Sequence, residues 1–365
     1  MKILFVSKLM AKAAAGPNWS VPARIKAQSK FDQIYWINAD KSEMPHWRET
    51  GLFHKVDEFG GKLRIENLPA DFGRPEAVVF EVPYFLEYLG LASQLREQGI
   101  PYIIVPRCSF THQAMNNHAK WKKRIAGWLM FNRFFKGASA IQYLTRQEYE
   151  DSSPFMCENH FIVPNGIEMP ERLTRVYTED KPLRGLFIGR IDIYHKGLDL
   201  MLEAVAECKD FLRDKHITID IWGPENPDFH TLRKLAAEKE IEDLFNLKGE
   251  ISGERKKKAL EEADFFIMTS RFEGLPMAML EALSYGLPCI ATDGTYLREE
   301  IDRTSSGLGC GNSTDEIINV LLQLGRNKSA LNKMSQNALC LANEYAWDEQ
   351  ARKFHEQIKN IVNKV

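Results

Sequence analysis

Residues 264–293 read DFFIMTSRFEGLPMAMLEALSYGLPCIATD, and this stretch predicts a strand, a loop, a helix and a second strand in succession. A short apolar run with polar residues at its ends is typical of a buried strand. Pro276 suits the first turn of a helix, Gly286 suits the position just past its end, and Pro288 prevents the helix from continuing. Strand–helix–strand units of this kind build parallel sheets covered by helices.

The same alternation of strand-length apolar runs and amphipathic segments extends over both halves of the chain. A charged stretch with two prolines separates the halves and is interpreted as a linker. We therefore expect an α/β protein of two Rossmann-like, doubly wound domains that face each other across a cleft. The predicted division is a first domain at 1–168, a linker at 169–182, a second domain at 183–345 and a helix at 346–365 that crosses back to the first domain.

Composition excludes several classes of protein. A chain of 365 residues is too long for one ordinary core, and a formal charge of -2 argues against nucleic-acid binding. The six cysteines form no C-x-x-C pair, which indicates reduced thiols in a cytoplasmic protein. The apolar run at 2–7 is interpreted as the first strand and not as a signal peptide, and no run approaches the roughly 18 apolar residues of a membrane span.

Two glutamates in the quoted stretch predict a binding site. Glu273 lies in the loop and Glu281 on the helix, with seven residues between them. A carboxylate accepts hydrogen bonds from vicinal hydroxyls, while the backbone N–H groups of Gly274 and Leu275 at the mouth of the helix favour an anion. This combination suits a sugar joined to a nucleoside diphosphate. The alternative is a solvent-facing Glu281 and a Glu273 that caps the helix.

A second group of residues lies in LFIGRIDIYHKGLDL, at 186–200. Gly189 and Arg190 follow a predicted strand, and Lys196 opens the next helix. The guanidinium of Arg190 can fork across phosphate oxygens, and Lys196 supplies a compact charge. Together they could stabilise a diphosphate leaving group. The alternative is that both are solvated loop residues.

With these motifs the chain resembles family 4 of the retaining glycosyltransferases, which have the GT-B fold. The resemblance implies that Glu273 and Glu281 form the E-x7-E motif of that family, with Glu281 on the nucleotide ribose and Glu273 on a hydroxyl of the transferred sugar. It implies that Arg190 and Lys196 bind the phosphates, and that the leaving phosphate helps to deprotonate the acceptor on the same face. The family needs no metal, and the chain has no D-x-D triplet; the nucleotide sugar is a substrate, so no cofactor is expected.

The resemblance also assigns the first domain to the acceptor and the second to the nucleotide sugar. In the first, Gly16 in AAAGPNWS stands where relatives carry a glycine-rich loop near the donor phosphates. Arg107 replaces a histidine that many relatives place near the reacting centre. His112 and His118 lie nearby in the sequence and are further candidates for acceptor binding or catalysis, although a lone histidine is more often structural.

The segment 118–138 interleaves basic and aromatic residues. Such a helix can lie on an anionic membrane, which would suit a lipid-linked acceptor. The alternative is a helix that packs its aromatic face on the core and leaves its basic face in solvent. Some peripheral membrane contact is expected.

The sequence thus leads to an expected function. This is a retaining, metal-independent glycosyltransferase that moves a sugar from a nucleotide donor, with UDP favoured, to a glycan or lipid-linked glycan of a cell-surface polysaccharide. It would act in the cytoplasm, and a lipid-linked acceptor would place it at the inner face of the membrane. The alternatives are a GT-B-fold epimerase and a catalytically silent subunit that binds nucleotide sugars. A nicotinamide oxidoreductase is disfavoured because no G-x-G-x-x-G follows an early strand.

Overall fold

The structure of the chain, a computed structural model, divides into two compact units. The first unit consists of Met1–Gly166 and Trp347–Val365, and the second of Ile167–Ala346. The structure describes residues 1–11, 16–111, 130–152, 159–171, 174–273 and 275–364.

A parallel sheet of seven strands, in the order β3-β2-β1-β4-β5-β6-β7, forms the centre of the first unit. Its middle strands are buried on both faces, which explains why they are continuous apolar runs in the sequence. The strands are β1 Lys2–Ser7, β2 Gln33–Asn38, β3 Phe53–Lys55, β4 Ala77–Glu81, β5 Tyr102–Val105, β6 Ala140–Tyr143 and β7 His160–Ile162.

Helices and short 3₁₀ turns connect these strands. Pro17 occupies the first position of the first helix, where proline needs no hydrogen-bond partner. The helices are α1 Pro17–Gln28, α2 Pro45–Arg48, α3 Glu87–Glu97, α4 at 130–136 and α5 Arg146–Glu150, with 3₁₀ turns at Val56–Phe59 and Ile65–Asn67.

The second unit contains a parallel sheet of six strands in the order β10-β9-β8-β11-β12-β13. Residues 264–293 form a strand, a helix and a strand here, as predicted, and the two strands are neighbours in the sheet. The strands are β8 Leu183–Ile188, β9 Ile217–Trp222, β10 Phe245–Gly249, β11 Phe265–Met268, β12 Cys289–Thr292 and β13 Gly307–Cys310.

The helices of the second unit pack on this sheet with their apolar faces in two buried clusters. Two parallel, helix-covered sheets are the architecture expected from the alternation of apolar and amphipathic segments. The helices are α6 Leu198–Glu207, α7 Lys209–Asp214, α8 Pro227–Glu238, α9 Gly253–Glu262, α10 Met277–Ser284, α11 Arg298–Thr304, α12 Thr314–Arg326 and α13 Leu331–Glu344, with a 3₁₀ turn at Lys328–Ala330.

The last helix, α14 Trp347–Val362, follows the second unit in the chain but belongs to the first. Its residues Phe354 and Ile358 are fully buried in a cluster that includes Phe5 and Ile25. The burial of these two side chains anchors the helix on the first unit.

Residues 169–182, expected as a linker, are packed against the second unit in their described part. Arg175 donates hydrogen bonds to the carbonyl oxygens of Leu260, at 2.7 Å, and of Tyr285, at 2.8 Å. Tyr177 is buried, and its hydroxyl donates to the carbonyl of Asp264 at 2.8 Å. The carbonyls near helix ends need such donors, so the polar residues of this segment fix it in place. The boundary between the units therefore lies at Gly166, before the polar stretch.

The basic and aromatic segment 118–138 is described only from residue 130 onwards. There Phe131, Phe134 and Phe135 are buried in the core of the first unit, while Arg133 and Lys136 are exposed. This part of the segment follows the core-packing alternative, because its aromatic face is not available to lipid. Among the described residues, none of the helices combines the length and the apolar character that crossing a membrane requires.

Candidate active site

The candidate site lies at the carboxyl ends of β8 and β11, which are neighbours in the second sheet. The chain leaves β8 through Gly189 and leaves β11 through the loop that carries Glu273. In doubly wound sheets ligands bind outside the carboxyl ends of the strands. The two sequence motifs are therefore brought together by the pairing of these strands.

Lys196 and Glu273 meet at this edge and form an ion pair. Their side chains are only 11% and 17% exposed, so solvent screens the pair weakly. The hydroxyl of Ser270 lies 3.4 Å from the same carboxylate oxygen of Glu273. A cation and an acceptor thus stand side by side, one suited to a phosphate and the other to a hydroxyl.

Contacts between the two loops hold this pair in place. Gly197 has a φ of 59°, and a Cβ at this position would overlap the carbonyl oxygen of Thr269. The hydroxyl of Thr269 donates to the carbonyl of Gly197 at 2.9 Å. Arg271 binds Asp199 through two hydrogen bonds of 2.7 Å, which ties the loop after β11 to the first turn of α6. Glycine is required where the loops approach most closely.

Arg190 extends into solvent from the loop after β8, with 64% of its side chain exposed. Its Nη2 atom lies 3.3 Å from Nδ1 of His195 and 3.4 Å from a carboxylate oxygen of Asp192. Partial burial lowers the pKa of His195, and the neighbouring cation Lys196 lowers it further. His195 was not among the predicted site residues; the only signal in the sequence was its place between Arg190 and Lys196.

Glu281 projects from α10 and pairs with Lys256 of α9. Its side chain is 36% exposed. The structure therefore joins Arg190, Lys196 and Glu273 through one chain of contacts and places Glu281 in a separate ion pair. Lys256 was not predicted, because nothing in the run of three lysines at 256–258 distinguishes it from its neighbours.

The mouth of α10 has the composition of an anion-binding turn. The helix begins at Met277, after Pro276, which offers no side-chain oxygen to cap the first N–H groups. Leu275 lies half-buried before it, and Gly274 lies outside the described residues.

Gly189 packs closely at the end of β8, since a Cβ on the facing Gly223 would overlap the carbonyl oxygen of Gly189.

The predicted residues of the first unit have a more structural setting. The guanidinium of Arg107 donates to Glu81 at 2.8 Å, to Ser20 at 3.1 Å and to Asn165 at 3.3 Å, and its side chain is only 5% exposed. Glu81 also pairs with the buried Arg24 at 3.0 Å. Arg107 thus takes part in a buried network.

The other candidates of the first unit differ in how far the structure describes them. Gly16 lies at the start of α1 with open space around it, so neither its conformation nor its packing requires glycine. His112 and His118 lie outside the described residues.

A cavity of about 770 Å³ opens at the opposite, amino-terminal edge of the second sheet. Its lining includes Leu183 and Ile217, the first residues of β8 and β9, together with Arg213 and Asp243. The last two form an exposed ion pair with each other. The candidate site residues are absent from its lining, so its size does not make it the better candidate.

Comparison with solved structures identifies the fold. Several solved structures share the complete architecture of this chain. A glycosyltransferase from Rickettsia africae is 13% identical, with a TM-score of 0.72 over 100% of both chains. HepE from Anabaena, solved in complex with UDP, is also 13% identical, with a TM-score of 0.68 over 99% of this chain and 100% of that one. Identities this low show the fold alone: it is the GT-B fold of glycosyltransferases.

The family follows from the sequence of the second unit. Residues 172–339 match the family described as glycosyl transferases group 1. This range includes Arg190, Lys196, Glu273 and Glu281, and it covers nearly all of the second unit. The second unit is therefore similar to members of this family over most of its length.

A curated relative supports the same assignment. The amylovoran biosynthesis glycosyltransferase AmsK of Erwinia amylovora is 29% identical over 156 residues, which cover 41% of this chain and 37% of the relative. The chain therefore spans little more than a third of that relative's length.

Proposed function

We propose that the chain is a retaining glycosyltransferase that transfers a sugar from a UDP-sugar to a glycan or lipid-linked glycan acceptor. The observation that carries the proposal is the Lys196–Glu273 pair at the carboxyl ends of β8 and β11, inside the range that matches the family. The presence of UDP in the HepE structure supports the choice of nucleotide. The role of AmsK in amylovoran biosynthesis supports a polysaccharide as the product.

The donor would be held by two kinds of side chain. Arg190 and Lys196 bind the diphosphate, and they offset the negative charge that develops on it as the glycosidic bond breaks. Glu273 accepts a hydrogen bond from a hydroxyl of the transferred sugar. For this, the Lys196–Glu273 pair opens, with the cation turning to phosphate and the carboxylate to hydroxyl.

Glu281 accepts hydrogen bonds from the ribose, at the far end of the donor. The leaving phosphate accepts the proton of the acceptor hydroxyl. The oxygen of that hydroxyl attacks the anomeric carbon from the face that the nucleotide leaves. Attack on that face preserves the configuration of the anomeric carbon. The residues of the site perform this chemistry with their own charges, and we propose that no metal takes part.

The proposal extends to the setting of the reaction. Because six cysteines without a C-x-x-C pair favour a reducing compartment, we place the enzyme in the cytoplasm, at the inner face of the membrane when its acceptor is lipid-linked. Contact with lipid would depend on residues 118–129 and on the exposed Arg133 and Lys136. Flotation with anionic liposomes at physiological salt tests this contact, and an absence of binding would refute it.

The assignment of the site predicts the effect of two substitutions on nucleotide release from UDP-sugars. We expect Lys196→Ala to lower kcat/KM by about 10²–10³, the scale for losing a donor that stabilises a charged transition state. Glu281→Gln should raise KM more than it lowers kcat, because the ribose is held equally in the ground state and the transition state. Lys258→Ala is the control, since this lysine pairs with Glu262 of its own helix, α9.

Near-normal rates in both site variants would refute the assignment. If the wild type binds UDP-sugars without releasing UDP, the chain is a silent binding subunit and not an enzyme. Activity that EDTA removes would contradict metal independence. Proton NMR of the newly formed linkage reports whether the anomeric configuration is retained.

A further inference from the structure

We propose that His195 is a positioning residue of the phosphate-binding site, which holds Arg190 in place as a neutral hydrogen-bond acceptor. This inference rests on the proposed function, because it concerns how the diphosphate is bound. It adds a residue for which the sequence motifs gave no role.

The chemistry of the contact fixes the state of the ring. The Nη2 atom of Arg190 lies 3.3 Å from Nδ1 of His195. A guanidinium can only donate hydrogen bonds, so Nδ1 must accept. The proton of the neutral ring is then on Nε2. Partial burial and the charge of Lys196 lower the pKa of His195 below its ordinary value, which favours the neutral ring. The charged groups around it are Arg190, Asp192, Lys196 and Glu273.

The rest of His195 is fixed to its surroundings, as a positioning residue requires. Its backbone N–H donates to a carboxylate oxygen of Asp192 at 2.9 Å, and its carbonyl accepts from the backbone N–H of Arg271 at 3.0 Å. Its ring packs on Phe272, with 4.4 Å between the ring centres. His195 is therefore held by both loops of the candidate site, and it transmits their position to Arg190.

Arg190 needs such support because most of its side chain is exposed. A long side chain loses rotamer freedom when it binds a ligand, and a partner that already restrains it reduces that loss. Asp192, 3.4 Å away, also restrains Arg190, but its negative charge competes with the phosphate. A neutral imidazole orients the guanidinium without cancelling its charge. His195 thus restrains Arg190 without a negative charge that would compete with the phosphate, which Asp192 cannot do.

The test is the affinity for UDP and for uridine at pH 7.5, measured for the wild type, His195→Ala and His195→Asn. We expect His195→Ala to weaken UDP binding about fivefold, the scale of one hydrogen bond, and to leave uridine binding unchanged. His195→Asn should bind UDP within about twofold of the wild type, because its side-chain oxygen replaces Nδ1 as the acceptor. His230→Ala, an exposed histidine of α8, is the matched control and should bind as the wild type does.

A double-mutant cycle separates positioning from a direct or a purely structural role. If His195 acts through Arg190, then His195→Ala should have no further effect on UDP binding in an Arg190→Ala background. Additive effects would overturn the proposal, as would UDP binding that His195→Ala leaves unchanged. If either result is found while the wild type binds UDP, the proposed function stands and only this inference fails. If the wild type binds no UDP, both fail. ¹⁵N NMR should show the proton of His195 on Nε2; a proton on Nδ1 would overturn the inference directly.

Discussion

Each glutamate of the E-x7-E motif is paired with a lysine from another part of the second unit. Lys196 faces Glu273, and Lys256 faces Glu281. In the proposed function, a nucleoside diphosphate would bring several negative charges to this edge of the sheet, and two bare carboxylates would repel it. The lysines would remove this repulsion and let the carboxylates serve as hydroxyl acceptors beside a phosphate. At the scale of single residues, the site is built from charge pairs and not from isolated charges.

This pairing predicts a role for Lys256 in nucleotide binding. Lys256→Ala leaves the charge of Glu281 uncompensated, and we expect UDP binding to weaken by about 1 kcal/mol, or about fivefold, through Coulomb repulsion. Isothermal titration calorimetry at low and high salt measures the change, which should shrink as salt screens the charges. Lys258→Ala, on the same helix, is the control. A loss of affinity equal in both variants would contradict a role specific to Lys256.

The extent to which the sequence predicts the site also depends on single residues. Glu273 and Lys196 could be predicted because each follows a strand, and parallel strands bring their carboxyl ends to one edge. The contacts of Lys256 and His195 could not be predicted, since they join different elements and sequence spacing does not encode them. Arg107 was expected near the reacting centre, but its guanidinium is engaged by Glu81, a buried carboxylate at the end of β4.

At the scale of elements, the predicted helices and strands are correct where the pattern is strong. The first strand, expected at 2–7, is Lys2–Ser7, and the helix expected to end before Gly286 is Met277–Ser284. The polar segment at 169–182 was harder to interpret. A composition rich in charge and proline is typical of linkers, yet here Arg175 and Tyr177 bind backbone carbonyls of the second unit. Their partners lie about 85 residues or more away in the chain, beyond the reach of local patterns.

The close packing at the junction between β8 and α6 predicts that alanine at Gly197 destabilises the protein much more than alanine at Gly253. Gly197 and Gly253 both have positive φ, of 59° and 56°, but only Gly197 has a backbone oxygen in the place of a Cβ. Gly253→Ala should cost about 1 kcal/mol of unfolding free energy, from backbone strain alone. Gly197→Ala should cost about 3 kcal/mol or more, because the loop must also move.

Urea unfolding of the two variants measures this difference. Nucleotide binding should fall in Gly197→Ala and persist in Gly253→Ala, since Gly197 is adjacent to Lys196. Equal losses of stability in the two variants would show that the close approach of Gly197 to Thr269 adds nothing to the cost of the Gly197→Ala substitution.

At the scale of the whole molecule, the chain forms the first unit from two separated segments. Phe354 of α14 and Phe229 of α8 are both fully buried, one in each unit. We expect Phe354→Ala to destabilise by about 3–5 kcal/mol through the cavity it leaves. Hydrogen exchange followed by mass spectrometry should show faster exchange in peptides of the first unit. This is expected although residue 354 follows the second unit in the sequence.

Phe229→Ala is the matched substitution in the second unit and should speed exchange there. UDP should slow exchange in the loops around 189–197 and 270–281 of the wild type. Faster exchange in the second unit as the main effect of Phe354→Ala would contradict the assignment of α14 to the first.

The return of α14 to the first unit has a consequence for the order in which the protein matures. The second unit begins and ends side by side, since Ile167 donates a backbone hydrogen bond to Tyr345 at 2.9 Å, and it is complete once residue 346 has left the ribosome. The first unit starts to emerge earlier but lacks the helix that covers Phe5 and Ile25 until residues 347–362 have followed. The unit whose synthesis starts first is therefore the last to close its core, and a chain interrupted before residue 347 would have a complete second unit and an incomplete first one.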